Sequence, residues 1–261
     1  MKLSFSKYHG TGNDFIIADN RLNHWKPTTA QVSFLCNRHF GIGADGLMLL
    51  SEKSGFDFAM TYYNADGNES TMCGNGGRCM TAYAKSLGMV DVAARFWAVD
   101  GMHEAQAVEN PLDVTYRIRM KDTRIGKIYE DGLFIDTGSP HFVKFVKDAA
   151  SADVFNMGKV LRNDARFLPG GTNVDFAELQ DEFLFVRTYE RGVENETLSC
   201  GTGVTAAAIA TAFKIGNSKG VYQIKTPGGS LQVSFLQTGM SFEQIWLEGP
   251  AKFVYNGEIQ V

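Results

Sequence analysis

Cys73-Gly74-Asn75-Gly76-Gly77-Arg78-Cys79-Met80-Thr81-Ala82-Tyr83-Ala84-Lys85 runs on to Gly88, and Cys200-Gly201-Thr202-Gly203-Val204-Thr205-Ala206-Ala207-Ala208-Ile209-Ala210-Thr211-Ala212-Phe213 runs on to Gly216. In each stretch a cysteine precedes a glycine-rich turn, then an Ala-rich segment closed by a glycine suited to a helix C′ position. The second segment is apolar almost all the way round, so its helix belongs at the centre of a domain and not on its surface. The two stretches are offset by 127 residues at the cysteine and by 128 at the closing glycine. Two weaker echoes share that offset. Tyr63-Asn64 lies 126 residues before Tyr189-Glu190, and Gly12-Asn13-Asp14-Phe15 is answered by Gly138-Ser139-Pro140-His141-Phe142. A period of half the chain signals two similar domains, not a solenoid.

Length and composition agree. The 261 residues, 44% hydrophobic and 21% charged, suit a globular chain with two domains of about 130 residues each. Strand-like alternation recurs at Phe15–Ala18, Leu47–Leu50, Asp57–Tyr63, Thr115–Met120, Leu133–Asp136, Phe183–Tyr189, Tyr222–Lys225, Ser230–Phe235 and Gln244–Glu248. Helical patterns are fewer: Ala30–Asn37, Asn75–Leu87, Val154–Asn163 and Val204–Lys214. Many strands around few helices predict an α+β (mixed α/β) fold with a boundary near Thr115–Met120. A net charge of −4 without basic runs argues against nucleic acid or an anionic membrane surface and for a small-molecule substrate. No apolar run approaches the ~18 residues of a membrane span, and the start has no signal-peptide core, so a cytoplasmic protein is expected. A homodimer is compatible with these features and not required by them. Gly41-Ile42-Gly43-Ala44-Asp45-Gly46 satisfies G-x-G-x-x-G, but a helix precedes it and a strand follows, the reverse of a dinucleotide fingerprint. It is read as a turn.

Cysteine usage sharpens the functional reading. Cys36, Cys73, Cys79 and Cys200 include no C-x₂₋₄-C pair, so no metal site is expected, and structural disulfides do not suit a cytosolic chain. Cys36 and Cys79 fit inert buried thiols. Cys73 and Cys200 each sit at a helix start, where free N–H groups and the helix dipole favour thiolate and offer a cradle for a carboxylate. If a pseudo-twofold axis relates the halves, the two thiols face each other across an interdomain cleft. One thiolate could then remove a Cα proton while the other thiol delivers one to the opposite face, with no cofactor required.

These residues resemble a known family. His9-Gly-Thr-Gly-Asn-Asp-Phe15, Asn64-Ala-Asp-Gly67, Cys73-Gly-Asn-Gly-Gly-Arg-Cys79, Gly138-Ser-Pro-His141, Tyr189-Glu-Arg-Gly192 and Cys200-Gly-Thr-Gly203 are similar, in order, to diaminopimelate epimerase. The resemblance runs from residue 9 to Gly249-Pro-Ala. It implies interconversion of LL- and meso-2,6-diaminopimelate without pyridoxal phosphate, in lysine and cell-wall precursor synthesis. It also implies two domains, each a curved sheet around a central helix, spanning 1–116 with 250–261 and 117–249. By the same resemblance Cys73 and Cys200 form the acid/base pair. Gly74, Asn75, Gly201 and Thr202 give donors to the reacting carboxylate. Asn13, Asn64, Asn173, Glu190 and Arg191 hold the substrate, and His141 and Glu190 support the ammonium or the cysteines. Ser139 stands where the family often has Asn, and Gly46 where many members have Gln; both departures fall on substrate recognition. Three rivals stay open on residues alone: a racemase for a smaller amino acid such as proline, a thiol redox protein, and, least favoured because it would not need two helix-entry thiols, a pure amino-acid binding module.

Overall fold

The computed structural model describes residues 2–110, 113–216 and 220–261. The chain forms two compact units, Met1–Ile118 with Gly249–Val261, and Arg119–Glu248. Both are sheet-dominated and wrapped on a helix, the mixed α/β class expected from the sequence.

The first unit contains β1 (Lys2–Gly10), β2 (Asn13–Asp19), α1 (Thr29–Cys36), β3 (Gly46–Ser51), β4 (Phe58–Asn64), β5 (Glu69–Ser70), α2 (Gly74–Ser86), β6 (Ala93–Ala98), β7 (Gly101–Asn110), β8 (Asp113–Arg119) and the last strand of the chain, β18 (Lys252–Gln260). Its strands are ordered β18-β1-β2-β3-β4-β6-β7-β8, antiparallel except at β2/β3 and β4/β6. The returning strand β18 pairs along the whole of β1, from Lys2 opposite Gln260 to His9 opposite Lys252. Strand β3 shows why its sequence is an unbroken apolar run. Leu47 and Leu49 pack with Val32 and Leu35 of α1, while Met48 on the other face lies under Gly76 of α2, so both faces are covered.

The second unit contains β9 (Thr123–Tyr129), β10 (Gly132–Asp136), β11 (Pro140–Phe145), α3 (Val154–Arg162), β12 (Asn173–Leu179), β13 (Leu184–Glu190), β14 (Asn195–Thr197), α4 (Gly201–Ile215), β15 (Val221–Thr226), β16 (Gly229–Thr238) and β17 (Ser241–Pro250). Its pairings repeat those of the first unit strand for strand: β11/β12 and β13/β15 are the parallel pairs, and β9 flanks β10 as β18 flanks β1. Pairing of Ser241 and Phe242 with Arg124 and Thr123 closes these strands into a barrel around α4. Every residue of α4 from Gly203 to Ala212 is buried. Alanine suits this place because it is the strongest helix former and lets strands approach closely on all sides. Both helices end as their sequences predict, with Gly88 (φ 69°) and Gly216 (φ 63°) left-handed. Strands β1, β5, β6, β7, β9, β11, β12, β14 and β18 were not anticipated from the sequence.

One charged cluster is built into the first unit's wall. Lys7, almost fully buried, reaches Asp14 Oδ2 at 2.8 Å and the Gly43 carbonyl. Arg38 grips Asp14 with both nitrogens, at 2.7 and 3.0 Å. Burial alone would raise the Asp14 pKa, but the hydrogen bonds from Arg38 and Lys7 outweigh it and pull the carboxyl from 3.8 to about 2. A carboxyl depressed on folding stabilises the fold above its unfolded pKa, and the contribution is lost as pH falls through the folded one. Asp14→Asn, which strands a buried ammonium, is therefore expected to cost about 3 kcal/mol at neutral pH by urea denaturation. The gap to wild type should close as pH falls from 3.8 toward about 2.

Candidate active site

Cys73 is the N-cap of α2 and Cys200 that of α4, both in extended backbone (φ −99°, ψ 135° and φ −109°, ψ 113°). Neither side chain makes a capping hydrogen bond, unlike the Ser, Thr, Asp or Asn usual there. At Cys200 the Gly203 N–H interacts with the sulfur. Ladder bonding begins with Gly77 N–H to the Cys73 carbonyl (2.7 Å) and Val204 N–H to the Cys200 carbonyl (3.0 Å).

Around Cys73 stand amides, with Arg78 and Cys79 within electrostatic reach. The Cys73 thiol lies 3.7 Å from Asn13 Oδ1, which also accepts from Asn75 Nδ2 at 3.3 Å. Asn75 Oδ1 in turn accepts from Arg78 at 2.8 Å. Arg78 is wholly buried and also donates to the Gly74 and Pro250 carbonyls. Burial pulls its pKa below the ordinary guanidinium value. Gly10 keeps the β1–β2 turn close, since a β-carbon there would press on Arg78 and the Asn75 backbone.

Around Cys200 the neighbours titrate. His141 and Asp175, both fully buried, are joined Nδ1 to Oδ2 at 2.7 Å, and Thr188 donates to the other Asp175 oxygen at 2.8 Å. His141 Nε2 lies 2.9 Å from Thr202 Oγ1, which lies 3.4 Å from the Cys200 sulfur. Asn173 Oδ1 accepts from the Arg191 backbone N–H (2.8 Å), so its Nδ2 faces Ser139 (2.8 Å), the Pro140 carbonyl (3.0 Å) and, less closely, His141 Nε2 (3.3 Å). The Asp175 carboxylate accepts from His141 Nδ1, and His141 Nε2, Thr202 and the Cys200 sulfur continue the same hydrogen-bonded row. Glu190 flanks the same thiol, taking the Thr197 hydroxyl at 3.0 Å; burial raises its pKa while its bonds to Cys200 and Thr197 oppose the rise.

A helix start favours thiolate, yet at Cys200 other effects outweigh it: the pKa is pushed well above the usual thiol value by burial first, then by the Glu190 and Asp175 carboxylates. Thr202 and the Gly203 N–H pull it down without balancing those effects, so at neutral pH Cys200 is a thiol. Burial also drives Cys36 and Cys79 up to about 12, as suits inert thiols.

Other anticipated residues fall in two groups. Asn13, Gly74 and Asn75 gather at Cys73; His141, Asn173, Glu190, Gly201 and Thr202 gather at Cys200. Asn64 closes β4, exposed, opposite Gly46 in register. Arg191 is exposed, with Nη1 donating to the Gly170 carbonyl at 3.1 Å. Gly46 is a packing requirement in this chain: a β-carbon there would stand 2.5 Å from the Tyr62 ring and the Tyr63 carbonyl oxygen. Ser139 Oγ accepts from Asn173 Nδ2 at 2.8 Å. Asp175, Asp45 and Arg78 went unassigned from sequence. Asn173-Val174-Asp175 carried a usable signal, since period-two spacing puts Asn173 and Asp175 on one strand face, opposite the Val174 and Phe176 that pack with Val154 of α3. Among the described residues no group of three or more His, Cys, Asp or Glu could hold a metal ion, and no helix is long and apolar enough to cross a membrane.

The profile of the family described as Diaminopimelate epimerase matches residues 5–106 and 133–254. This chain belongs to that family. It is 46% identical to the diaminopimelate epimerase of Flavobacterium psychrophilum over 255 residues, covering 97% of this chain and 98% of that one. Identity to the Chlorobaculum tepidum diaminopimelate epimerase is 40% over 263 residues, covering 96% and 98%. Among solved structures the fold is similar to a Bacillus anthracis PhzF-family phenazine biosynthesis protein (TM-score 0.79, 14% identity, both chains covered in full). It is also similar to a probable proline racemase from Agrobacterium radiobacter (TM-score 0.71, 16% identity, 99% and 92% covered). Membership makes the chain an isomerase. The thiol environments give a direct check. Iodoacetamide treatment of the native protein near neutral pH should leave Cys36 and Cys79 unlabelled by peptide mass spectrometry. Rapid labelling of either would contradict the burial that raises them.

Proposed function

We propose that this chain interconverts LL- and meso-2,6-diaminopimelate, with Cys73 and Cys200 as the acid/base pair, in lysine and cell-wall precursor synthesis. The observation that carries the reading is the duplicated N-cap cysteine on a glycine-started, fully buried helix. Inversion at a carbon needs a base on one face and an acid on the other, and each half of this chain contributes one thiol. In one direction Cys200 carries its proton and is the donor. Cys73 as thiolate takes the Cα proton; the electron pair spreads into the carboxylate; Cys200 S–H returns a proton to the carbon. The product leaves Cys73 as thiol and Cys200 as thiolate, which is the form suited to the reverse direction. First-turn N–H groups of Gly74, Asn75, Gly201 and Thr202 meet the charge developing on the carboxylate.

The surroundings divide the work. Thr202, His141 and Asp175 give the Cys200 proton a path to a group that can hold it, and Glu190 offers a second acceptor. Cys73 is held by amides, which do not titrate. Asn13, Asn64, Asn173, Glu190 and Arg191 hold the substrate, with the Arg191 guanidinium suited to its distal carboxylate. That set also favours diaminopimelate over proline, which has no second polar end. The reading places the protein in the cytoplasm, where its thiols stay reduced.

NMR of the reduced protein with LL-diaminopimelate should show the meso isomer accumulating, and a parallel sample with proline should show no racemisation. Cys73→Ala and Cys200→Ala should each lower turnover by about 10²–10⁴-fold or more, whereas Cys36→Ala should retain it. Absence of meso product from the wild type would refute the activity. Near-normal turnover in either of the first two variants would refute the two-base assignment.

A further inference from the structure

The amides beside Cys73 are not free to choose which end faces the thiol. Asn13 Nδ2 donates to Asp45 Oδ2 at 2.7 Å, and the Asp14 N–H donates to the same oxygen at 3.2 Å. The other Asp45 oxygen receives Arg38 Nη2 at 2.8 Å. Every group facing Asp45 in this set is a donor, so only a carboxylate satisfies both edges. At the far end Arg78, a donor only, takes Asn75 Oδ1 and turns Asn75 Nδ2 toward Asn13. Asn13 is thus oriented from both sides, amine toward Asp45 and carbonyl toward Cys73.

We propose that Asp45 is a positioning residue that acts on Cys73 through Asn13, fixing the amide so that its carbonyl oxygen accepts the Cys73 S–H and favours the thiol over the thiolate. This deepens the two-base reading and rests on it for its catalytic meaning, because it decides which protonation form Cys73 adopts between turnovers. Cys73 must then release that proton to solvent before it can act as base. The charged and titratable groups around this path are Arg78 and Cys79 on α2, Asp14 on β2, Arg38 after α1, and Asp100, which accepts the Met72 N–H at 3.3 Å. Of these, only Asp45 and Arg78 end the chain of amides. Asp45 belongs to the Gly41–Gly46 stretch whose glycine spacing imitates a dinucleotide motif, and orienting Asn13 gives that stretch a role.

The test reads the thiol itself, so it is separable from any failure of epimerase activity. The rate of Cys73 alkylation by iodoacetamide is followed against pH by peptide-resolved mass spectrometry, with Cys200 in the same digests as the internal reference. Asp45→Asn keeps an oxygen for Arg38 and turns an amine toward Asn13, setting the two ends of the chain in conflict. Asp45→Leu, tolerable because the Asp45 side chain is 43% exposed, removes the acceptor without adding a donor. Both should move the Cys73 midpoint to lower pH, by about half a pH unit or more for the Asn variant. The shift should persist in about 1 M KCl, where the screening length is about 3 Å, and Cys200 should keep its wild-type profile. An unmoved Cys73 midpoint in both variants would overturn the proposal. So would a shift that salt abolishes, which marks through-space charge, or an equal shift at Cys200, which marks general loosening.

Discussion

A strand running close beneath the first turn of a buried helix is the constraint on which both cysteine environments depend. The third residue of each central helix is glycine, and a β-carbon on Gly203 would collide with Asp175 of β12, while one on Gly76 would press on Met48 of β3. Without those glycines the helix starts would lift from the sheet, and the cysteines with them. Because the helices are buried on nearly every side, they cannot shift to relieve such a clash. The small residues of α4 therefore serve position as much as stability.

The same constraint shows how two copies of one plan came to differ in chemistry. Parallel register places His141 opposite Asn173 in the second unit and Phe15 opposite Gly46 in the first. Two residues further along the second strand stand Asp175 and Met48. Under α4 the strands thus supply a histidine–aspartate pair, and under α2 a phenylalanine and a methionine, all four wholly buried. One thiol is connected to groups that can store a proton; the other is held by amides whose orientation is set by charged residues at their ends. Near-identical helix starts thus meet different surroundings because of what lies one layer below.

The duplication was legible in the sequence because backbone requirements are strict: close packing at the helix start and the left-handed C′ position both favour glycine. The helix ends at Gly88 and Gly216 and the turn at Gly41–Gly46 were readable for the same reason. Strands β11 and β12 were missed: β12 does alternate, with Val174 and Phe176 on one face, but its other face carries Asn173 and Asp175 into the interior, and β11 brings His141 beside them, so burial on that face was not readable. The thiol state of Cys200 was hidden as well. Local sequence shows the helix dipole, but not the burial or the carboxylates of Glu190 and Asp175, which arrive from residues distant in the chain and outweigh it.

The central claim is that inversion uses two thiols, one taking a proton and the other giving a different one. The direct measurement is solvent deuterium incorporation during the first few per cent of conversion of LL-diaminopimelate in D₂O. The account predicts one deuteron at Cα in each meso product molecule, with remaining LL substrate still protonated, since the donating thiol has equilibrated with solvent and the accepting thiol has not returned its proton. Meso product that retains the original Cα proton would show that a single group shuttles it between faces, and would contradict the account.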